Sequence, residues 1–260
     1  MATRPTALVT GASAGIGLEL ARILAREGHD LVLVARRESA LKELADELKD
    51  RYGADSAVVA VDLAEPEAGA RVEEAVGSRS IDVLVNNAGF GGVGAFVTRE
   101  HDDDMRMVAV NVVALTDLTK RFLPGMVARG RGRVLNVAST AAFQPGPFMA
   151  VYYATKAYVL SLSQALAEET SGTGVTVTCL CPGVTDTEFH GVAGTDAQPL
   201  TSGPLSMSAA SVAEAGYRAM IRGKLVEIPG VHNKVGAQSV RIAPRRVVLK
   251  IVRRLHPASH

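Results

Sequence analysis

A chain of 260 residues with 47% hydrophobic content can bury one sizeable core, and its length fits a single α/β domain. A formal net charge of +1 gives no overall reason to expect nucleic acid or an acidic partner, and 4% aromatics with no tryptophan argues against stacking platforms for single strands. Neither a charged region followed by an apolar one at the start nor any apolar run of membrane-spanning length is present, so the expectation is a cytoplasmic protein with reduced thiols.

Short β-branched runs alternate with longer helical patterns. Strands are predicted at Thr6–Thr10, Leu31–Ala35, Ala57–Val61, Val83–Asn86, Val134–Ala138, Val175–Cys181 and Leu225–Ile228. Amphipathic segments between them include Leu18–Arg26, Ala40–Arg51, Val72–Val76, Met105–Val127 and Tyr153–Glu169. About seven strands separated by helices predict a single-domain α/β fold, a doubly wound parallel sheet with helices on both faces. Its ligand crevice should lie beyond the carboxyl ends of the strands, where strand order reverses.

The first strand runs into Thr-Gly-Ala-Ser-Ala-Gly-Ile-Gly. Gly11 permits a tight turn, Gly15 lets backbone approach a pyrophosphate, and Gly17 allows helix to pack closely on sheet. With Ser13, Ala14 and Ile16 they present amides and a helix N-terminus to an anion. The second strand ends in Arg36 and Arg37, where an NAD site would carry an acid for the ribose 2′-hydroxyl. Planar, multi-donor guanidinium heads suit a 2′-phosphate instead, which points to NADP(H).

Further along, Ser139 precedes Tyr152 by thirteen positions, and Lys156 follows the tyrosine by four. A tyrosine and a lysine at i, i+4 share a helix face. A phenol titrates near ~10, and a neighbouring ammonium is expected to lower that value toward the working range. Tyr153 is the rival tyrosine, but its i+4 neighbour is Ala157. Cys179 and Cys181 read as small buried hydrophobes on one strand face, and two thiols without a second cluster predict no metal site.

Two segments break the rhythm. Residues 184–207 form a Gly/Thr/Ser/Pro-containing stretch, expected to be a lid or binding loop. The main domain is assigned to residues 1–230, and 231–260 form a basic extension with six Lys/Arg between Arg241 and Arg254 and no acid after Glu227. Val247, Val248, Ile251, Val252 and Leu255 recur at helical spacing there, ringed by Arg245, Arg246, Arg253 and Arg254. A helix packing on the domain or on another subunit is the plain expectation, with contact to an anionic membrane surface as the alternative.

Taken together, these motifs resemble the short-chain dehydrogenase/reductase family from Thr6 to about Ile228. The match includes Asp62 in Val-Asp-Leu, Asn86-Asn87-Ala88-Gly89 after the fourth strand, Asn111, Ser139, Tyr152, Lys156 and Pro182-Gly183. A position beside the serine that is often serine in the family is Ala138 here. The resemblance implies a Rossmann-type enzyme that moves a hydride between NADP(H) and a small-molecule carbonyl or alcohol. Tyr152 would be the general acid or base, and Lys156 would tune it and bond the nicotinamide ribose. Ser139 would polarise the carbonyl, and Asn111 would hold a water linking Lys156 to solvent. Asp62 would lie near the adenine, Asn87, Ala88 and Gly89 would line the cofactor, and Thr185 or Thr187 would bond the carboxamide. Phe90, Gln144, Met149 and Phe189 are the candidate pocket residues, implying a largely apolar substrate. A homodimer or homotetramer through the helices bearing Asn111 and Tyr152 is also implied. An NAD-linked alcohol dehydrogenase and a catalytically silent cofactor-binding regulator are the alternatives.

Overall fold

A computed structural model describes residues 4–186 and 206–255. Seven strands form one parallel sheet: β1 Thr6–Thr10, β2 Asp30–Ala35, β3 Ser56–Ala60, β4 Ile81–Asn86, β5 Gly132–Val137, β6 Val175–Leu180 and β9 Val226–Glu227. Their order is β3-β2-β1-β4-β5-β6-β9, so the chain reverses direction across the sheet between β1 and β4. The predicted boundaries agree with these within two residues. The last strand is shortest, because only Val226 and Glu227 pair with Cys179 and Leu180.

Residue alternation explains the two covered faces. Ala7 and Val9 of β1, Leu31 and Leu33 of β2, and Leu135 of β5 face a cluster that includes Leu20, Leu24, Leu41 and Leu48. These leucines come from α1 Gly15–Arg26 and α2 Glu38–Tyr52. On the other face, Leu8, Val32, Leu84 and Val134 meet Val72 of α3 Ala68–Val76 and Leu118 and Met126 of α5 Leu115–Ala128. Successive strand side chains point to opposite faces, so strands buried on both sides must be apolar throughout.

One predicted helix is longer than expected and internally irregular. It begins as α4 His101–Val108, loosens into a π-helical stretch at Ala109–Ala114, and continues as α5. Wide π turns tend to occur where a helix must aim a side chain, and Asn111 sits in this one. Tyr152 and Lys156 lie on α6 Ala150–Glu169.

A helix that the periodicity reading did not pick out, α7 Ala209–Ile221, packs against α1. Its signals are local: Ser208 accepts a hydrogen bond from the Ser211 amide, and Val212, Ala213, Gly216, Ala219 and Met220 are buried at helical spacing. Ahead of it, β7 Thr185–Asp186 pairs with β8 Met207–Ser208. Most of the 184–207 stretch, including Thr187, Phe189, His190 and Leu200, lies outside the described residues.

The basic extension is helical, as α8 Val231–Ile242 and α9 Arg245–Leu255. Val248 and Val252 of α9 are buried in the cluster that contains Met107, Met149, Tyr152 and Tyr153. Packing on the domain is therefore observed for one face of α9.

Candidate active site

All the motifs converge on the carboxyl edge of the sheet, around the reversal between β1 and β4. Gly11 adopts φ +67°, and a Cβ there would stand 2.7 Å from Asn87 Nδ2. A Cβ on Gly17 would stand 2.3 Å from the Gly11 carbonyl oxygen, so helix and turn touch with no room for a side chain. Thr10, which the motif reading passed over, fastens this turn to the end of β4. Its Oγ1 accepts from the amides of Asn87 and Ala88, both at 3.0 Å, and donates to the Val85 carbonyl at 3.2 Å. Asn87 Nδ2 returns a bond to the Thr10 carbonyl at 3.0 Å.

The α1 N-terminus suits an anion. Ala14 at the cap supplies no side-chain hydrogen bond, and no acid stands in the first turn. The leading amides therefore lack the usual capping oxygen, while Ile16 packs inward on the core. Arg37 reaches over the turn, its Nη2 donating to the Ser13 carbonyl at 3.1 Å. Arg36 is exposed beside it. Asp62 is paired with Arg106 at 2.7 Å, a partner the sequence did not single out. Burial alone would push the Asp62 carboxyl up, but the Ala64 amide and the Arg106 guanidinium outweigh it and hold it below the ordinary value.

Next to this turn lies a buried polar network. Asn86 Nδ2 donates to Thr119 Oγ1 and to Asn136 Oδ1, each at 2.9 Å, and Asn136 Nδ2 donates to Ser163 Oγ at 2.9 Å. Two strands and two helices are thereby fixed around the site. Asn111 Oδ1 accepts from the Phe90 amide at 3.1 Å, while its Nδ2 donates to the Phe90 carbonyl at 2.9 Å and to Thr155 Oγ1 at 3.0 Å. Gly89 sits where a Cβ would come 3.0 Å from Asn111 Oδ1 and 3.3 Å from Lys156 Nζ. A Cβ here would make both groups give by a few tenths of an ångström.

The structure brings Ser139, Tyr152 and Lys156 together. Ser139, at the end of β5, stands close enough to Tyr152 to act on its phenol, and its Oγ accepts from the Ala141 amide at 3.1 Å. Lys156 Nζ donates to the Val137 carbonyl at 3.0 Å and lies 5.8 Å from the centre of the Tyr152 ring. Burial pushes the Tyr152 phenol up to about 12, with Ser139 pulling the other way. Burial likewise pushes Lys156 down to about 8. The expected lowering of the phenol by the ammonium is not seen in the protein alone: the amine points at a carbonyl, and desolvation of the phenolate dominates. Tyr153 stands edge-on to Tyr152 at 6.1 Å, and Gly146 makes space for its ring.

Pocket residues follow the same geography. Met149 is buried in the cluster with Tyr152, Phe90 packs half-buried against it, and Gln144 follows the short turn Thr140–Phe143. On the remaining side the Pro182 carbonyl accepts from the Thr140 amide at 2.8 Å, and Thr185 Oγ1 donates to the Gly183 carbonyl at 3.1 Å. Asn233 of α8 lies against Gly183, where a Cβ would stand 2.3 Å from its Oδ1. That contact was invisible in the sequence, because nothing in the tail pattern ties it to the Pro-Gly turn. Among the described residues no group of three His, Cys, Asp or Glu could hold a metal ion. The opposite edge of the sheet carries a groove of about 860 Å³ between Arg4, Asp30, Asp82 and Arg131. Its charges pair with one another (Arg4–Asp30, 3.2 Å; Arg131–Asp82, 3.4 Å), and none of the site motifs lies there.

A doubly wound parallel sheet with a glycine turn at its reversal and a Ser–Tyr–Lys set beyond β5 defines a dinucleotide-binding oxidoreductase class. The short chain dehydrogenase family model matches residues 5–198, and the chain belongs to that family. It is similar to a short-chain dehydrogenase from Sphingobium yanoikuyae solved in complex with NADPH, at 37% identity and TM-score 0.84, with 98% of this chain and 99% of that one covered. A family member from Burkholderia phymatum, solved in complex with NAD, superposes with TM-score 0.80 at 25% identity, covering 90% and 92% of the two chains. Among curated relatives, a very-long-chain 3-oxoacyl-CoA reductase from Laccaria bicolor is 38% identical over 66% of this chain, but the match spans only 52% of that protein. No helix among the described residues is long and apolar enough to cross a membrane.

Proposed function

We propose that the protein is an NADP(H)-dependent reductase of a largely apolar ketone or aldehyde. The observation that carries this reading is the buried gathering of Ser139, Tyr152 and Lys156, with Lys156 Nζ 5.8 Å from the Tyr152 ring and against Gly89, which follows the strand end that Thr10 ties to the glycine turn. The α1 amides and the Gly11–Gly17 turn would hold the pyrophosphate. Arg36 and Arg37 would hold the 2′-phosphate, Asp62 the adenine side, Asn87, Ala88 and Gly89 the cofactor flank, and Lys156 the nicotinamide ribose. Pro182, Gly183 and Thr185 or Thr187 would border the nicotinamide. When bound, NADPH supplies the hydride.

The chain's own groups manage the proton. A phenol pushed up to about 12 keeps its proton throughout the neutral range, so Tyr152 stands ready as an acid toward a carbonyl oxygen. Ser139 orients that oxygen and shares its developing negative charge. Asn111 clamps the Phe90 backbone beside Lys156 and limits where substrate can lie. Met149 and Phe90 give the pocket an apolar wall, which suits a substrate without a strong charge beside the carbonyl.

NADPH consumption across a panel of ketones and aldehydes tests the assignment. Tyr152→Phe should lower turnover by about 10²–10⁴-fold, and unchanged turnover would overturn it. An NAD-linked alcohol dehydrogenase is the second reading, favoured by the Burkholderia phymatum relative's NAD complex and by the Arg37 contact with Ser13. Fluorescence titration decides between them, since equal affinity for NADH and NADPH would remove the arginine argument.

A further inference from the structure

The near-neutral total charge conceals a strong division. Residues up to Glu227 carry 21 Lys/Arg against 27 Asp/Glu, whereas the residues after it carry 7 Lys/Arg and no acid. The body is acidic and the tail is basic. Among the described residues none of Arg245, Arg246, Lys250, Arg253 or Arg254 forms an ion pair. Arg253 instead lies over the Phe148 ring at 5.8 Å.

Helical geometry sorts α9 into adjoining lines of residues four apart. Val248 and Val252, 6% and 5% exposed, face the Tyr152 cluster. Beside them Val247 and Ile251 are 47% and 53% exposed, and the next line is Lys250 and Arg254. The helix thus has one apolar edge sealed by the protein, a second apolar edge in solvent, and a basic edge bordering the second. At the preceding turn, Ile242 is also exposed. Apolar groups flanked by unpaired cations match the interface of an anionic bilayer, which accepts the side chains below its headgroups and the cations at their level. An eleven-residue helix is too short to span, so it would lie in the surface plane.

We propose that the exposed edge of α9 docks the protein on an anionic lipid surface, with the acidic body turned away. Because the buried edge of the same helix packs in the Tyr152 cluster, docking sets that side of the molecule against the lipid. The surface argument stands whether or not the chain reduces a carbonyl.

Flotation of the full chain with phosphatidylcholine vesicles, with and without about 30 mol% phosphatidylglycerol, tests the proposal. The protein should float with the anionic vesicles only and be released by salt. Val247→Asp/Ile251→Asp and Lys250→Glu/Arg254→Glu should each reduce vesicle binding by about tenfold or more while the thermal melt stays unchanged, since all four side chains are exposed. Absence of binding to anionic vesicles, or equal binding by both double variants, overturns the proposal. So does light scattering in which the variants split an oligomer while vesicles bind nothing, which would make the edge a contact between copies of the chain. Flotation is read without turnover, so its failure leaves the carbonyl-reductase assay to stand or fall separately.

Discussion

The two ends of the crevice are built on different principles. Around β1 and α1 the core is aliphatic, and the working surface is backbone: glycines at 11 and 17, bare helix amides, and one threonine fastening the turn. Around β5 and α6 the working surface is side chain, held by two buried networks, Asn86–Asn136–Ser163 and Asn111–Thr155, with a buried lysine. Binding an anion at the first end needs only close approach and dipoles. Holding a tyrosine, a serine and a lysine together at the second needs groups that a purely apolar core would not choose, and those groups make this end costlier to fold.

The strongest way to break the comparison is Lys156→Met. Burial holds Lys156 near 8 against an ordinary value of 10.5, so between these values the unfolded chain keeps a proton that the folded one has lost. Stability therefore rises as pH climbs through that window, and the penalty of the buried ammonium is fully present below it. The variant should melt higher than wild type at pH 7, by up to about 3 kcal/mol, with the gap closing above pH ~10.5, while turnover falls at least about a hundredfold. Denaturant melts at pH 7 and 10.5 would check it, and a variant less stable at pH 7 would mean that the bond to Val137 outweighs desolvation.

In wild type, reductive kcat/KM should decline above pH about 8, the value to which Lys156 is pushed, as the amine loses its charge. A pH–rate profile flat to pH 9.5 would detach the lysine from the chemistry. Asn136→Ala should cost roughly 1–3 kcal/mol by leaving Asn86 and Ser163 short of partners. Urea unfolding measures that loss, and a near-neutral result would mean that water replaces the amide.

At the backbone-built end the effect is read first in cofactor affinity. Gly17→Ala forces the turn away from the Gly11 carbonyl, weakening NADPH binding by about tenfold or more with a stability loss of about 3 kcal/mol. Calorimetric titration beside a thermal melt would separate the two. A loss of fold without a loss of affinity per folded molecule would make Gly17 structural only.

Much of this was legible because it is local. Strand and helix periodicity placed the sheet, and the spacing from Ser139 to Tyr152 to Lys156 singled out Tyr152 over Tyr153. The π-helical stretch at Ala109–Ala114 left no periodic signature, since one widened turn barely disturbs the pattern of apolar residues. Asn233 against Gly183 and Arg106 on Asp62 join residues about fifty positions apart or nearly so, and no local rule pairs them. The tail's helicity was readable, but its docking onto the Tyr152 cluster was not.

By itself the sequence determined the layered fold, the family and which side chains meet at the crevice, because glycine stereochemistry and side-chain periodicity act over a few residues. Only the tertiary structure decided the protonation of those side chains. The tyrosine's proton is held and the lysine's is loosened by burial, and burial depends on what the rest of the chain brings over them.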